Sequence, residues 1–174
     1  MSGPSASIRL GRVVLVELRR GLPQATGCPV LALGEDRHRV LNPDRGLNLP
    51  DAPAQEVVRQ AEDQIWELGS IVPRHSEGRQ IFDVVVYDLD ASPMVEPAVL
   101  ERGLCSLVEV LVESEVFAVA MEPIGMMHAG IGAEAFAHAL RAACAKAERS
   151  LEILLCHPDR DLLDALDRFL HTLH

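Results

Sequence analysis

A short stretch in the C-terminal half of the chain, residues 118–132, reads AVAMEPIGMMHAGIG. Its apolar beginning predicts a buried β-strand, its glycine-spaced middle predicts a tight turn, and the periodic segment that follows predicts a helix. Glycine lets backbone N–H groups approach a ligand closely, and a helix N-terminus adds about half a positive charge. Such a unit can bind a phosphate or a carboxylate without a basic side chain. The alternative is a plain connection between strand and helix, and the composition favours neither.

Five short apolar runs are predicted as β-strands, and they alternate with longer segments of helical period. Consecutive apolar residues such as Val84, Val85 and Val86 are typical of strands that are covered on both faces, as in a mainly parallel sheet. The predicted strands span residues 13–18, 29–33, 81–87, 116–121 and 151–156.

Four helices are predicted between and after these strands, each with one apolar stripe that can pack on the sheet. The first spans residues 51–68, with Asp51 as its N-cap and Gly69 at its end. The last begins at Asp159, and the stripes of the second, third and fourth helices lie within residues 100–111, 136–147 and 162–173.

The length of 174 residues and the apolar fraction of 48% suit one globular domain with a substantial core. We therefore expect an α/β fold with a single domain over residues 1–174, built as a three-layer α/β/α sandwich around a central mixed, mainly parallel sheet. Residues 1–7 are expected to be flexible. The net charge of −10 disfavours general binding of nucleic acid or of an anionic membrane surface.

No apolar window reaches the about 18 uncharged residues that a membrane span needs. The N-terminus has no basic segment followed by an apolar block, so we expect no secretion signal and a cytoplasmic location. The four cysteines lie far apart without a Cys-x-x-Cys pair, which indicates neither a zinc ribbon nor a disulfide scaffold. No metal or other cofactor is predicted.

Two further segments are candidate sites. Residues 34–50 are rich in turn-forming residues and are predicted as a long loop, which is either mobile or functional. Asp88 and Asp90 follow a predicted strand, where both carboxylates could hold a divalent ion together with a ligand phosphate. The alternative is that Asp90 or Ser92 caps a helix that begins near Pro93 while Asp88 is solvated.

Three side chains of the glycine-spaced turn are also candidates. His128 could polarise or protonate a bound group, although an isolated loop histidine is more often simply solvated. Met126 and Met127 could form an apolar wall for a ligand, and two methionines are too few to indicate a soft-metal site. None of the three is assigned a catalytic role.

The order of elements and the glycine-spaced turn together resemble the macro domain, the ADP-ribose-binding family. The likeness is best over residues 81–173 and is carried chiefly by Pro123, Gly125 and Gly130. Their segment, Pro-Ile-Gly-x-x-x-x-Gly, is similar to the phosphate loop of the family. The resemblance implies a macro-domain fold and a ligand such as ADP-ribose or a related phosphorylated nucleotide.

The chain departs from the family pattern at several positions. Glu17 stands where the family has the Asp of a Gly-Asp-Ile motif, so the resemblance implies that Glu17 contacts the adenine amino group. Gly34 follows the strand where the family continues into Asn-Ala-Ala-Asn and a glycine run, and here Ala32 and Leu33 replace polar positions. Met127 occupies the middle glycine of the phosphate loop. A buried ribose hydroxyl without its partner loses about 1 to 3 kcal/mol, so the usual strength of the site is not expected.

The leading hypothesis is a module that binds an ADP-ribose-like or other phosphorylated nucleotide without catalysis. Its expected ligand-binding residues lie in the glycine-spaced turn and at two earlier positions. They are Glu17, Gly34, Gly125, Met126, Met127, His128, Ala129 and Gly130.

Two alternatives remain open. The first is a degenerate interaction or assembly domain that forms a homo-oligomer or binds a protein partner, as the macro-like N-terminal domain of leucyl-type aminopeptidases does. It predicts an apolar or occluded surface where Ala32, Leu33, Met126 and Met127 converge. The second is an ADP-ribosyl hydrolase that uses Asp88, Asp90 or His128.

Overall fold

The apolar runs of the sequence form the strands of one seven-stranded sheet. The structure is a computed structural model that describes residues 7–38 and 65–172, the side chains of Met127 and His128 excepted. All five predicted strands are confirmed, with ends that differ by a few residues. The strands are β1 (Ser7–Leu10), β2 (Val14–Arg20), β3 (Val30–Asp36), β4 (Ile71–Ser76), β5 (Arg79–Tyr87), β6 (Ala118–Met121) and β7 (Leu151–His157).

The sheet is mixed and mainly parallel, as the sequence predicts. Its strand order is β1-β2-β7-β6-β3-β5-β4. The five central strands, from β2 to β5 in this order, run parallel to one another, whereas β1 and β4 pair antiparallel at the two edges. The consecutive apolar residues Val84, Val85 and Val86 fall on β5, which is buried on both faces.

Three details of the strands differ from the sequence-based expectation. The edge strand β1 is not among the predicted strands, because its short alternation of polar and apolar residues is a weak signal, and it begins at Ser7, the last residue of the segment expected to be flexible. Strand β4 is not among the five predicted strands. Strand β3 continues through Gly34 to Asp36, so Gly34 does not begin a loop, and residues 39–50 of the predicted loop lie outside the described residues.

Three long helices cover one face of the sheet. Each contributes buried leucines to the larger core, for example Leu104, Leu140 and Leu166. No helix among residues 7–38 and 65–172 is long and apolar enough to cross a membrane. The helices are α1 (Pro97–Glu113), the single turn α2 (Met126–Ala129), α3 (Ala133–Ala145) and α4 (Arg160–Thr172), and a short 3-10 helix spans Pro23–Thr26.

The predicted helix ends are partly correct. Asp159 caps α4 as expected, because its Oδ1 accepts the Asp161 N–H at 2.9 Å. Helix α1 begins at Pro97 behind Glu96, so neither Asp90 nor Ser92 caps it. The helix predicted over residues 51–68 lies outside the described residues up to residue 64, and residues 65–68 are not helical. The predicted three-layer sandwich needs this helix for its second helical layer, so that layer stays a prediction.

The two faces of the sheet carry different clusters. Ala32 faces the larger core under the helices, whereas Leu33 faces a smaller cluster on the opposite side, because side chains alternate along a strand. Both residues are buried. Ala32 and Leu33 therefore do not converge on one face of the sheet, and the Met127 side chain lies outside the described part of the structure.

Replacement of Asp159 by Ala should destabilise the protein, since it removes the side-chain acceptor of the Asp161 N–H in the first turn of α4. We expect a loss of about 1 kcal/mol, which lowers Tm by about 2 to 4 °C in a domain of this size. Thermal unfolding of Asp159→Ala measures the effect. The matched control is Asp164→Ala, which removes an exposed carboxylate on the same helix. Equal Tm values for the two variants would contradict the capping role.

Candidate functional site

The sheet has one topological switch point among its described parallel strands, between β3 and β6. The chain leaves β3 toward β4 and β5 on one side, and it leaves β6 toward β7 on the other. Ligands of open α/β sheets bind in the crevice outside the carboxyl ends of two such strands. We call this place the β3–β6 crevice and define it by residues 34–36 and 122–125.

Gly34 lets the chain pass closely under an aromatic ring at this crevice. A Cβ at this position would stand 2.8 Å from Tyr87 Cε2 and 3.1 Å from Ile124 Cγ2. Tyr87 ends the neighbouring strand β5 and is fully buried, so the ring has no room to withdraw. A side chain larger than hydrogen at residue 34 would therefore push β3 away from Tyr87.

The glycine-spaced turn folds as one helical turn between two glycines. Gly125 (φ 87°) and Gly130 (φ 68°) lie on either side of α2, and both adopt the left-handed backbone conformation. Residues other than glycine rarely adopt this backbone conformation, which explains why a glycine lies at each end of the turn. The strand, turn and helix predicted for residues 118–132 are thus confirmed.

Backbone amides at the start of this turn are hydrogen-bonded within the protein. The Gly125 N–H donates to Tyr87 Oη at 2.8 Å, and the Met126 N–H donates to the Pro123 carbonyl at 3.1 Å. The Ile131 N–H donates to the Gly125 carbonyl at 3.1 Å and closes the turn. The amides of Gly125 and Met126 are consequently engaged, and a ligand could use them only by breaking these bonds.

A carboxylate bridges the two strands of the crevice. Glu122 directly follows β6, is half-buried, and its Oε1 accepts the Gly34 N–H of β3 at 3.3 Å. The Glu122 carboxylate also lies near the Tyr87 hydroxyl. Burial is the main cause that raises the pKa of Tyr87 above its ordinary value, and the charges of Glu122 and Glu35 raise it further. The phenol therefore stays neutral and accepts the Gly125 N–H.

Two acidic residues end β3 below this bridge. Glu35 and Asp36 are fully buried, and Glu35 Oε1 accepts the Asp36 N–H at 3.1 Å. Burial is the main cause that raises the pKa of Glu35 to about 8, and its side-chain hydrogen bond with Asp36 and the nearby Asp83 contribute. Asp83 itself pairs with the Arg74 guanidinium at 2.9 Å. The Glu35 carboxyl is therefore mainly neutral at physiological pH, whereas the Asp83 carboxylate forms an ion pair with Arg74.

The outer rim of the same edge carries one further ion pair and one contact between a histidine and an aspartate. The Arg37 Nη1 lies 2.8 Å from Asp88 Oδ2, and the His38 Nε2 lies 3.7 Å from Asp90 Oδ2. Asp88 Oδ1 also accepts the Asp90 N–H at 3.2 Å. Among the described residues, no group of three or more His, Cys, Asp or Glu side chains is arranged to hold a metal ion.

The structure does not bring Glu17 to the β3–β6 crevice. Glu17 lies within β2, level with Leu154 of β7 and hence with Ala120 of β6. Two strand spacings separate β2 from β6, or about 10 Å. The Glu17 carboxylate pairs with Arg19 at 2.9 Å, and its contact with an adenine amino group stays a prediction.

The other predicted site residues lie together in and beside the turn. Gly34 contributes the strand side of the crevice, and Gly125 begins the turn. Met126 is half-buried and, like Ala129, packs against the larger core. The backbones of Met127 and His128 belong to α2, and Gly130 caps it.

Sequence reasoning missed two residues of the crevice and one that packs beside it. Glu35, Tyr87 and Glu122 were not assigned to the site, although each lies at the carboxyl end of an apolar run that was correctly predicted as a strand. A polar residue in that position of a parallel strand is the available signal. Which of the runs are neighbours in the sheet was not accessible from the sequence.

Comparisons with known proteins identify the fold. No protein-family model matches the chain, and no curated protein sequence matches it. The solved structure of the Oceanobacillus iheyensis macrodomain with ADP is similar to the chain with a TM-score of 0.72 at 11% identity, over 98% of this chain and 96% of that one.

Two other macrodomains have the same likeness. The macrodomain of Thermus aquaticus DarG gives a TM-score of 0.61 at 19% identity, over 84% of this chain and 99% of that one. The Trypanosoma brucei macrodomain in complex with ADP-ribose gives 0.64 at 10% identity, over 88% of this chain and 68% of that one. At such identities the likeness shows the fold alone. The predicted macro-domain fold is confirmed.

Replacement of Tyr87 by Phe should destabilise the protein by about 1 to 3 kcal/mol, because the buried Gly125 N–H loses its acceptor. Urea unfolding of Tyr87→Phe against the wild type measures the loss. The matched control is Ser70→Ala, which removes a hydroxyl that donates to the Glu67 carbonyl at the surface. A stability loss no larger than that of the control would show that Tyr87 does not hold the turn.

Stability should fall as pH rises between about 4.5 and 8, in part because of Glu35. The unfolded chain ionises this carboxyl near its ordinary pKa of 4.5, whereas the folded protein keeps the proton up to about pH 8. The folded state therefore binds more protons in this window, and each pH unit lowers the unfolding free energy by up to about 1.4 kcal/mol.

Urea unfolding at pH 5 and at pH 8 tests this contribution. The proteins compared are the wild type, Glu35→Gln and the exposed control Glu115→Gln. Because Gln stays neutral at both pH values, Glu35→Gln should lose less stability than the wild type between them. The control should behave as the wild type. An equal loss in Glu35→Gln and the wild type would exclude a buried neutral carboxyl.

Proposed function

We propose that the chain binds a phosphorylated nucleotide of the ADP-ribose class at the β3–β6 crevice, without catalysis. The observation that carries the proposal is the junction of strand ends at the switch point. There the backbone of Gly34 meets the turn that contains Gly125. Macrodomain structures of the same fold hold ADP or ADP-ribose according to their descriptions, which supports this ligand class.

The later part of the turn is the part proposed to face the phosphates. The amides of Gly125 and Met126 serve the protein itself. The internal bonds fix the position of the turn before any ligand arrives, so little ordering accompanies binding. The backbone from residue 127 to Gly130 then provides the proposed contacts, and an αL glycine at residue 130 keeps its surface free of a side chain.

Binding is proposed in preference to hydrolysis. Asp88, a carboxylate considered for acid–base chemistry, is ion-paired with Arg37 and accepts the Asp90 N–H. Glu35 is fully buried and therefore out of reach of a substrate in this structure. A general base must lie within hydrogen-bond reach of the proton that it removes, and neither residue offers a free carboxylate at the crevice.

An interaction or assembly domain without a nucleotide ligand is the second candidate. It is favoured by the internal hydrogen bonds of the Gly34 and Gly125 amides, since Glu122 and Tyr87 already occupy these donors. In this case the crevice is a structural junction that the fold retains. Ligand titration separates the two candidates.

Titration with ADP-ribose should show saturable binding by calorimetry and a higher Tm. A ligand at 100 times its Kd stabilises the folded state by about 2.7 kcal/mol, which corresponds to roughly 5 to 10 °C in Tm. Absence of any heat or shift with ADP-ribose, ADP and sugar phosphates would end the nucleotide hypothesis and leave the assembly domain.

Two glycine variants locate the site. Gly130 and Gly78 both have positive φ, and no atom lies within 4 Å of an added Cβ at either position. Gly130→Asp places a carboxylate beside the proposed phosphates and should weaken binding at least about tenfold. Gly78→Asp makes the same change in the turn between β4 and β5 and should leave the affinity unchanged. Equal affinities of the two variants would place the ligand elsewhere.

A further inference from the structure

We propose that a cleft at the amino ends of β2, β7 and β6 docks an acidic protein segment that carries an apolar side chain. The cleft has a volume of about 390 Å³ and is open to solvent. We call it the amino-end cleft and define it by Arg9, Arg12, Leu15, Phe117 and Glu152. It lies at the opposite ends of the parallel strands from the β3–β6 crevice, so the inference does not depend on the proposed nucleotide site.

A row of side chains across three strands forms the floor of the amino-end cleft. Arg9 of β1 is level with Leu15 of β2, and Leu15 is level with Glu152 of β7. Neighbouring strands lie about 4.8 Å apart, so the row spans about 10 Å. Because side chains alternate along a strand, the row lies on the face opposite Val14 and Val16, which belong to the larger core under the helices. The three long helices therefore do not cover it.

The amino-end cleft gathers apolar surface that the described fold leaves exposed. Phe117, directly before β6, is 69% exposed, and Leu15 is 37% exposed. They are two of the five large hydrophobic side chains that are exposed among residues 7–38 and 65–172. The Glu152 N–H donates to the Phe117 carbonyl at 2.8 Å and fixes the backbone of Phe117 beside β7. Single exposed apolar side chains are ordinary, whereas a group of them in one place indicates an interaction site.

Two arginines lie beside this apolar surface. Within the described part of the chain, the guanidinium groups of Arg9 and Arg12 make no hydrogen bond and no ion pair. Both side chains are exposed, and the described lining of the cleft sets one acidic residue, Glu152, against them. The cleft therefore has a positive formal charge in a chain whose net charge is −10. A guanidinium binds a carboxylate through two parallel N–H groups, so an acidic side chain is the matching group.

The turn that carries Arg12 is packed against a helix. Gly11 has a φ of 62°, and a Cβ at this position would stand 3.0 Å from the Cys144 carbonyl oxygen of α3. The backbone of Arg12, the next residue, is thereby positioned before any partner arrives, which reduces the ordering that binding requires. A charge on an edge strand, such as that of Arg9, also discourages strand pairing. This protective role does not account for Arg12, which lies in the turn.

An acidic protein segment fits the amino-end cleft better than other occupants do. Small molecules favour pockets that bury most of their surface, and this cleft is open. A nucleic acid or a second copy of the chain would meet the repulsion of the net charge of −10. A short acidic segment needs only local contacts. Its apolar side chain packs between Leu15 and Phe117, and its carboxylates face the two arginines.

Selection from a phage-displayed library of random peptides tests the inference. We expect the wild-type protein to enrich peptides in which Asp or Glu neighbours a large apolar residue. The Kd of an enriched peptide is then measured by fluorescence anisotropy. Arg9→Gln combined with Arg12→Gln should weaken binding at least about tenfold, because the carboxylates lose both guanidinium partners. Phe117→Ala should weaken binding to a similar extent, because the apolar side chain of the peptide loses one wall of the cleft.

Matched controls separate the cleft from general effects of charge and apolar surface. Arg160→Gln combined with Arg168→Gln removes two exposed arginines of α4, and Leu22→Ala removes an exposed apolar side chain outside the cleft. Both controls should keep the wild-type Kd. All of the replaced side chains are exposed, so the variants and controls should fold and keep the Tm of the wild type.

Three outcomes would overturn the inference. The first is a selection that enriches no acidic peptides. The second is an equal Kd for the Arg9 and Arg12 double variant and for its double control. The third is a dimer that light scattering detects in the wild type and not in the Arg9 and Arg12 double variant, which would assign the cleft to a second copy of the chain.

Discussion

The contact between the Tyr87 ring and Gly34 is the constraint on which the arrangement of the crevice depends. Tyr87 ends β5, Gly34 lies in β3, and the phenol oxygen accepts the Gly125 N–H after β6. One buried side chain thus ties the ends of three strands that are far apart in sequence. Because protein interiors are close-packed, neither ring nor strand can shift without disturbing the turn. The missing Cβ of Gly34 is consequently a packing requirement of the sheet as well as a feature of the candidate site.

This constraint determines which backbone N–H groups of the glycine-spaced turn are available to a ligand. Taken alone, such a turn offers backbone donors to a ligand, but Tyr87 satisfies the first donor and the Pro123 carbonyl satisfies the next. Buried N–H groups are nearly always paired, so a turn packed against a polar side chain uses its own amides first. The donors left to a ligand are then those farther along the turn, where Gly130 has open space around it.

The sequence predicted the class of the fold and most element positions because apolar runs and stripes are local signals. Val84, Val85 and Val86 correctly indicated a strand buried on both faces, and Asp159 correctly indicated a helix start. The junction was not predictable, because it depends on which strand ends are neighbours. Glu122 lies 88 residues beyond Gly34 along the chain, so no spacing rule connects them. The assignment of Glu17 came from family likeness, and the structure places this residue beside Arg19 within a strand.

The concentration of acidic residues at the carboxyl edge is at odds with an anionic ligand only when all of these residues are counted as full negative charges. Burial keeps Glu35 protonated up to about pH 8, Arg37 pairs with Asp88, and Arg74 pairs with Asp83. Each of these carboxyl groups therefore contributes little net charge to the crevice. Glu122 is half-buried and accepts the Gly34 N–H at the crevice itself. The burial and the pairing of the individual carboxyl groups therefore matter more for the crevice than the overall charge of the chain.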